Sequence, residues 1–155
     1  MPKHTLPFSF VVTLAGKEDA IRSGLAQTLA GLEPLGLNND ETTTVELVLA
    51  EALNNVVEHA LASTNGETEI EIRTTHDDQG LLLVIVDQGV PMPTGTAPAC
   101  REPELAVALD DMPEGGFGWF MIHTLTQEID YKRVEDTNQL SLRLPVGLQP
   151  QTPTP

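Results

Sequence analysis

Within one stretch of helical pattern the chain reads Ala50-Glu51-Ala52-Leu53-Asn54-Asn55-Val56-Val57-Glu58-His59, with Glu51, Asn55 and His59 at every fourth position. Residues spaced by four share one stripe of an α-helix. Their neighbours are mainly Val, Leu and Ala, and a carboxylate or amide beside a core-facing stripe needs something to satisfy it. Glu51 in such a setting suits a general base. Asn55, one turn on, offers a neutral carbonyl oxygen suited to a hard cation such as Mg²⁺. The same residues also fit a polar stripe facing water, and the helix alone does not decide between the two.

Two other segments carry comparable chemistry. Asp87-Gln88-Gly89 follows the apolar run 81–86, so a carboxylate stands at the end of a buried strand and Gly lets a ligand approach the backbone. An ordinary strand-ending turn has the same composition. Glu114-Gly115-Gly116-Phe117-Gly118-Trp119-Phe120-Met121-Ile122 places a Gly-rich turn directly before an apolar helix. Free backbone N–H groups at such a helix start bind phosphate oxygens.

These groups must be positioned by regular elements. Residues 8–14 read as a first strand, with Phe8, Phe10 and Val12 on one side. Ala20, Ile21, Gly24, Leu25 and Leu29 give residues 17–31 a helical period. Asn38 and Glu41 stand at capping-box separation and start a second helix that runs to about residue 61. Residues 67–75 alternate as a strand with one wet face, and His76-Asp77-Asp78-Gln79-Gly80 turns them into 81–86 as an antiparallel hairpin. Residues 117–126 read as a third helix, and 128–133 and 139–144 as a closing hairpin about Glu135-Asp136-Thr137-Asn138. The order predicts an α+β fold, a two-layer sandwich with helices on one face of the sheet. Between them, residues 90–114 are broken by six prolines and glycines, Pro91, Pro93, Gly95, Pro98, Pro103 and Pro113, with room for one short helix over 104–109. A segment that long and irregular inside a domain fits a functional lid.

The 155 residues suffice for one domain, expected over 1–147 with the lid at about 90–114, followed by a disordered Pro-rich tail at 148–155. Lys and Arg number 8 against 23 Asp and Glu, a net charge of −15, which repels phosphate backbones and disfavours direct nucleic-acid binding. The lone cysteine, Cys100, cannot form an intrachain disulfide. No stretch reaches the length of a membrane span, and the expected location is the cytoplasm.

In sequence, the Glu…Asn helix, the Asp-x-Gly after a strand, the Pro-rich segment and the Gly-Gly-x-Gly helix start resemble the GHKL (Bergerat) ATP-binding fold. That fold, the histidine kinase-like ATPase fold, has a mixed, mostly antiparallel sheet and occurs in gyrase, histidine kinases and MutL-type ATPases. The chain is most similar within it to bacterial anti-sigma factors that are serine/threonine-protein kinases. Their Glu-Ala-x-x-Asn-x-x-x-His pattern is matched by residues 51–59, and their Gly-Gly-x-Gly segment by Gly115 to Ile122.

The resemblance implies ATP and Mg²⁺ as cofactors. It makes Glu51 the residue that activates the attacking hydroxyl, Asn55 the Mg²⁺ ligand, and Asp87 the acceptor for the adenine amine, with Gly89 letting the base sit close. Gly115, Gly116, Phe117 and Gly118 would offer backbone donors to the phosphates. Arg22 corresponds to a partner-contact position, although a solvated helix Arg fits equally. His59 is expected in a structural role, Cys100 as incidental, and Trp119 and Phe120 as packing residues. Where many GHKL proteins have Asp-x-Gly-x-Gly, this chain has Asp87-Gln88-Gly89-Val90-Pro91, and Arg101 is the only Lys or Arg between Asp87 and Gly118. The implied partners are a sigma factor and an anti-anti-sigma protein of the STAS type, with a homodimer as the expected state. A nucleotide-dependent binding module without kinase activity is the alternative, and the detached catalytic domain of a sensor histidine kinase fits less well because no dimerisation helix pair precedes it.

Overall fold

Alternating apolar residues produce five strands, β1 (Phe8–Ala15), β2 (Glu69–Asp77), β3 (Gly80–Asp87), β4 (Glu128–Val134) and β5 (Thr137–Leu144). Helical periodicity produces α1 (Glu18–Gly31), α2 (Asn39–Asn55) and α3 (Gly116–Leu125), with a short 3₁₀ turn at Glu33–Leu35. The computed structural model describes residues 8–62, 64, 67–92 and 116–148. The central part of the expected lid, its short helix, Arg101, Cys100, Gly115 and the end of the Pro-rich tail lie outside the described residues.

The strands form one sheet in the order β1-β2-β3-β5-β4, and all four pairings are antiparallel. One face of the sheet is buried, through Val12 and Leu14, Ile70 and Ile72, Leu81, Leu83 and Ile85, and Leu140, Leu142 and Leu144. Against it lies the apolar side of α2, built from Val45, Val48, Leu49, Ala52 and Leu53 at helical spacing and continued by Val56 just past its end, together with Trp119 and Ile122 of α3. Each fully buried aliphatic side chain of this kind contributes about 1.5–3 kcal/mol relative to exposure. This is the two-layer α+β sandwich that the order of elements predicts.

The second helix begins where its cap signal places it. Asn38 Oδ1 accepts from the Glu41 backbone N–H at 2.8 Å, and Glu41 Oε1 accepts from the Asn38 backbone N–H at 3.1 Å. Its end differs from the expected one. The α-helix stops at Asn55 and continues as a single π turn, Val56–Ala60, in which the Leu61 N–H donates to the Val56 carbonyl at 2.9 Å. The wider turn leaves the Ala60 carbonyl to accept from the Val90 N–H at 2.9 Å. It thus ties the end of the helix to the chain just beyond β3, an arrangement common where a helix borders a site.

The last hairpin also starts earlier than the sequence pattern suggests. Asn138, which reads as a turn residue, is inside β5 and faces Asp87 of β3 across the sheet. Only Glu135 and Asp136 make the turn, and Glu135 is the one non-glycine residue with positive φ (55°) among the described residues.

Candidate functional site

The buried stripe of β3 runs Leu81, Leu83, Ile85, Asp87, and that of β5 runs Leu144, Leu142, Leu140, Asn138. Side chains two apart along a strand share a face, so Asp87 and Asn138 are the polar end of an otherwise aliphatic layer. They sit at the floor of a cavity of about 600 Å³, within the range of small-molecule sites. Ala52 and Asn55 line it from α2, Val56 and Glu58 to Ala60 from the π turn that follows, Val90 to Met92 from the chain after β3, and Trp119, Tyr131 and Leu140 from the remaining sides.

Asp87 is 4% exposed. Its Oδ1 accepts from the Gly89 N–H and from Asn138 Nδ2, both at 2.8 Å, while Oδ2 has no hydrogen bond from the described residues. Burial pushes the Asp87 carboxyl above the usual carboxylate range, against the opposing pull of the Asn138 and Gly89 hydrogen bonds and the nearby Arg133 charge.

Asn138 is held in turn. Tyr131 donates its hydroxyl to Asn138 Oδ1 and accepts from the Met92 N–H at 2.9 Å. Arg133 Nη1 donates to Asn138 Oδ1 at 3.0 Å and to the Gly89 carbonyl at 2.7 Å. Asn138, Tyr131 and Arg133 are absent from the sequence reading of the site. The signal that marks them is parity: Asn138 falls on the Leu140–Leu142–Leu144 face, and Arg133 on the Ile129–Tyr131 face.

Asn55 stands on the α2 wall, 7% exposed, and its Nδ2 has no partner among the described residues. Adjacent Asn54 is half-buried and does not line the cavity. His59 is exposed at the cavity edge beside Glu58.

Two of the expected site glycines, Gly89 and Gly118, are close approaches to α2 or its continuation. A Cβ on Gly89 would lie 2.1 Å from the Ala60 carbonyl oxygen. A Cβ on Gly118 would lie 2.5 Å from Glu51 Oε2, so α3 starts with its backbone against the Glu51 carboxylate. Gly116 opens α3, and Phe117 follows it in the first turn. Glu51 itself is half-buried, next to Gly118, and is not among the cavity-lining residues. Arg22 is exposed on α1 beside Lys17, Glu18 and Asp19, away from the cavity. The fold therefore brings Asn55, Asp87 and Gly89 together, sets Glu51 against Gly118 nearby on the same helix as Asn55, and leaves Arg22 apart.

These groups fit a magnesium nucleotide. An apolar cavity with one acceptor oxygen on its floor suits a flat base bearing an amino group. A buried amide with an unmet polar atom suits a hard ion, since exchanging its Oδ1 and Nδ2 needs only a half-turn about χ2. Among the described residues no group of three His, Cys, Asp or Glu side chains could hold a metal ion, and Mg²⁺ commonly takes one or two protein ligands with phosphates supplying others.

A family model described as "Histidine kinase-like ATPase domain" matches residues 14–144. Serine-protein kinase RsbW of Bacillus licheniformis is 27% identical over 108 residues, covering 66% of this chain and 65% of the relative. Serine-protein kinase RsbW of Bacillus mycoides is 28% identical over 104 residues, covering 66% and 64%. The match thus spans just under two thirds of the length of these curated relatives. The crystal structure of the RsbU and RsbW domains of Rv1364c from Mycobacterium tuberculosis superposes with a TM-score of 0.60 at 19% identity, covering 90% of this chain and 33% of that one. That likeness is one of fold. Among the described residues, no helix is long and apolar enough to cross a membrane.

Proposed function

The chain belongs to the histidine kinase-like ATPase family, and from that premise we propose that it is an ATP-binding anti-sigma kinase. In this reading it holds a sigma factor and phosphorylates a Ser or Thr of an anti-anti-sigma antagonist in the cytoplasm. The observation that carries the reading is the placement of Asp87 and Asn55 in the lining of one largely apolar cavity. The similarity to serine-protein kinases RsbW supports the choice of protein substrate.

Each residue then has a task. Asp87 Oδ2 accepts from the adenine amine, and Gly89 keeps the backbone close to the base. Asn55 would hold Mg²⁺, which would supply neutralising charge to the nucleotide phosphates. The N–H groups that open α3, at Gly116, Phe117 and Gly118, are assigned to the same charge, helped by the helix dipole, and Gly115, outside the described residues, is assigned the same task. Glu51 accepts the proton of the substrate hydroxyl as its oxygen bonds to the γ-phosphorus. The bond from that phosphorus to the β–γ bridging oxygen breaks, and ADP leaves. The new phosphate places roughly two negative charges on the antagonist's surface and releases it from a chain that already carries a net charge of −15.

Arg22, exposed on α1 away from the cavity, is assigned to partner contact, and a homodimer is the proposed state. A nucleotide-dependent binding module without transfer is the second reading. It is favoured by the position of Glu51 against Gly118 rather than among the cavity-lining residues.

Purified protein incubated with γ-labelled Mg-ATP and the antagonist domain distinguishes the two. The kinase reading expects label on an antagonist Ser or Thr, and Glu51→Ala is expected to abolish it while sparing nucleotide binding. Tight ATP binding with no transfer leaves the binding module.

A further inference from the structure

The hydrogen bonds beneath Asp87 have a fixed direction. Met92 N–H donates to the Tyr131 oxygen, Tyr131 O–H donates to Asn138 Oδ1, and Arg133 Nη1 donates to the same Oδ1. With two donors on its carbonyl, the Asn138 amide cannot turn over without setting its own N–H groups against them. Its Nδ2 must therefore point the other way, where it donates to Asp87 Oδ1 at 2.8 Å and to the Val90 carbonyl at 3.0 Å. Oδ1 of Asp87 is thereby filled, together with the Gly89 N–H, and Oδ2 is the oxygen left for a ligand. Arg133 is itself anchored twice more, from Nε to the Glu135 carbonyl at 2.9 Å and from Nη1 to the Gly89 carbonyl. The left-handed φ of Glu135, sterically costly for any residue but Gly, occurs at the residue whose carbonyl holds Arg133.

We propose that Arg133 and Tyr131 are positioning residues for nucleobase selection: by fixing the Asn138 amide they present Asp87 Oδ2 as an obligate acceptor. The inference rests on the nucleotide-binding reading and extends it from Asp87 to β4, an edge strand whose residues carry no part of the sequence motifs. It also gives the chain after β3 a share in base selection, because the Met92 N–H closes the relay through Tyr131. A base with an amino group at the recognised position satisfies the acceptor. A base with a carbonyl there sets oxygen against oxygen and is rejected.

The charges around Asp87 give the proposal a second signature. Arg133 is the cation on its β4 side, and its charge favours the ionised carboxylate. Tyr131 reaches it only through Asn138. From the π turn after α2, Glu58 and His59 line the same cavity. Removing Arg133 alone leaves those other groups in place in both proteins. The acceptor is then lost to protonation at a higher pH than in the wild type.

The test is competitive binding of Mg-ATP and Mg-ITP, which differ by an amine against a carbonyl, to the full chain and to Tyr131→Phe and Arg133→Met. Each substitution removes hydrogen bonds to the buried Asn138 and its neighbours, so both variants are expected to melt modestly below wild type while staying folded under the binding conditions. Wild type is expected to prefer ATP by at least ~10-fold, as hydrogen-bonding sites do. Each variant should lower that preference by about 3- to 10-fold, the scale of one hydrogen bond. Arg133→Met should in addition move the acid limb of ATP binding to higher pH. If both variants weaken ATP and ITP by the same factor with an unmoved acid limb, the positioning role is wrong and the nucleotide site stands. If wild type binds ATP no better than ITP, and Asp87→Asn matches it, the nucleotide site is wrong and the inference falls with it.

Discussion

Asp87→Asn separates recognition from stability more cleanly than any other change in the cavity. The amide has the same shape and keeps one acceptor oxygen, so the two 2.8 Å bonds from Gly89 N–H and Asn138 Nδ2 can both be retained. The atom that takes the place of Oδ2 becomes an NH₂ group, a donor where a donor must be received. A hydrogen bond to a charged acceptor contributes about 1.5–3 kcal/mol, which corresponds to a loss of roughly 10- to 150-fold in ATP affinity. Opposed donors add to that loss. Stability should move the other way or not at all, because burial is the largest influence on Asp87 and penalises its charge.

The sign follows from linkage. The folded-state pKa is raised, so the contribution of Asp87 to stability is fully present below the ordinary aspartate value and is lost as pH rises through the raised one. The neutral amide removes that dependence. Calorimetric titration with Mg-ATP and thermal unfolding followed by circular dichroism, each at pH 7 and at stepwise lower pH, measure both quantities. The expected result is severely weakened binding with a melting temperature at or above that of the wild type. Wild-type affinity in the variant, or its failure to fold, would refute the reasoning.

Gly89→Ala should destabilise by about 1–3 kcal/mol, since its Cβ would meet the Ala60 carbonyl, a backbone atom that cannot rotate away; chemical denaturation measures it. Gly118→Ala should leave stability within about 1 kcal/mol of wild type, as the nearest atom is the end of the Glu51 side chain. Displacing that carboxylate should nevertheless slow phosphoryl transfer by ~10-fold or more, with ATP affinity retained. Asn55→Ala removes a buried polar atom that lacks a partner among the described residues, so the nucleotide-free protein should be as stable as the wild type or more so by ~1 kcal/mol, while the Mg²⁺ dependence of ATP binding disappears. Asn38→Ala removes half of the capping box and should cost about 1 kcal/mol, read as a lowered unfolding midpoint.

What was legible in the sequence depended on how local its cause is. Asn38 and Glu41 make contacts three residues apart, so the start of α2 could be read directly. Asp87 could be placed at the end of a buried strand because the apolar run before it is unbroken. The π turn at Val56–Ala60 could not be read, since Val56-Val57-Glu58-His59-Ala60 carries the same apolar pattern as the helix it continues. The contact that accompanies it, the Val90 N–H on the Ala60 carbonyl, comes from a segment distant in sequence. Asn138 was hidden by composition: after Glu135-Asp136-Thr137 it looks like turn chemistry, and only its parity with Leu140 and Leu142 shows that it belongs to the buried face. The approach of Gly118 to Glu51 is a contact between helices, which no spacing within either one reveals.

The account depends most on the base lying against Asp87. A crystal structure of the protein with Mg²⁺ and a non-hydrolysable ATP analogue tests this directly. The account predicts the adenine amine within hydrogen-bonding distance of Asp87 Oδ2, with Asn138 Nδ2 still donating to Oδ1. A nucleotide bound elsewhere, or an adenine whose amine faces away from Asp87, would contradict it.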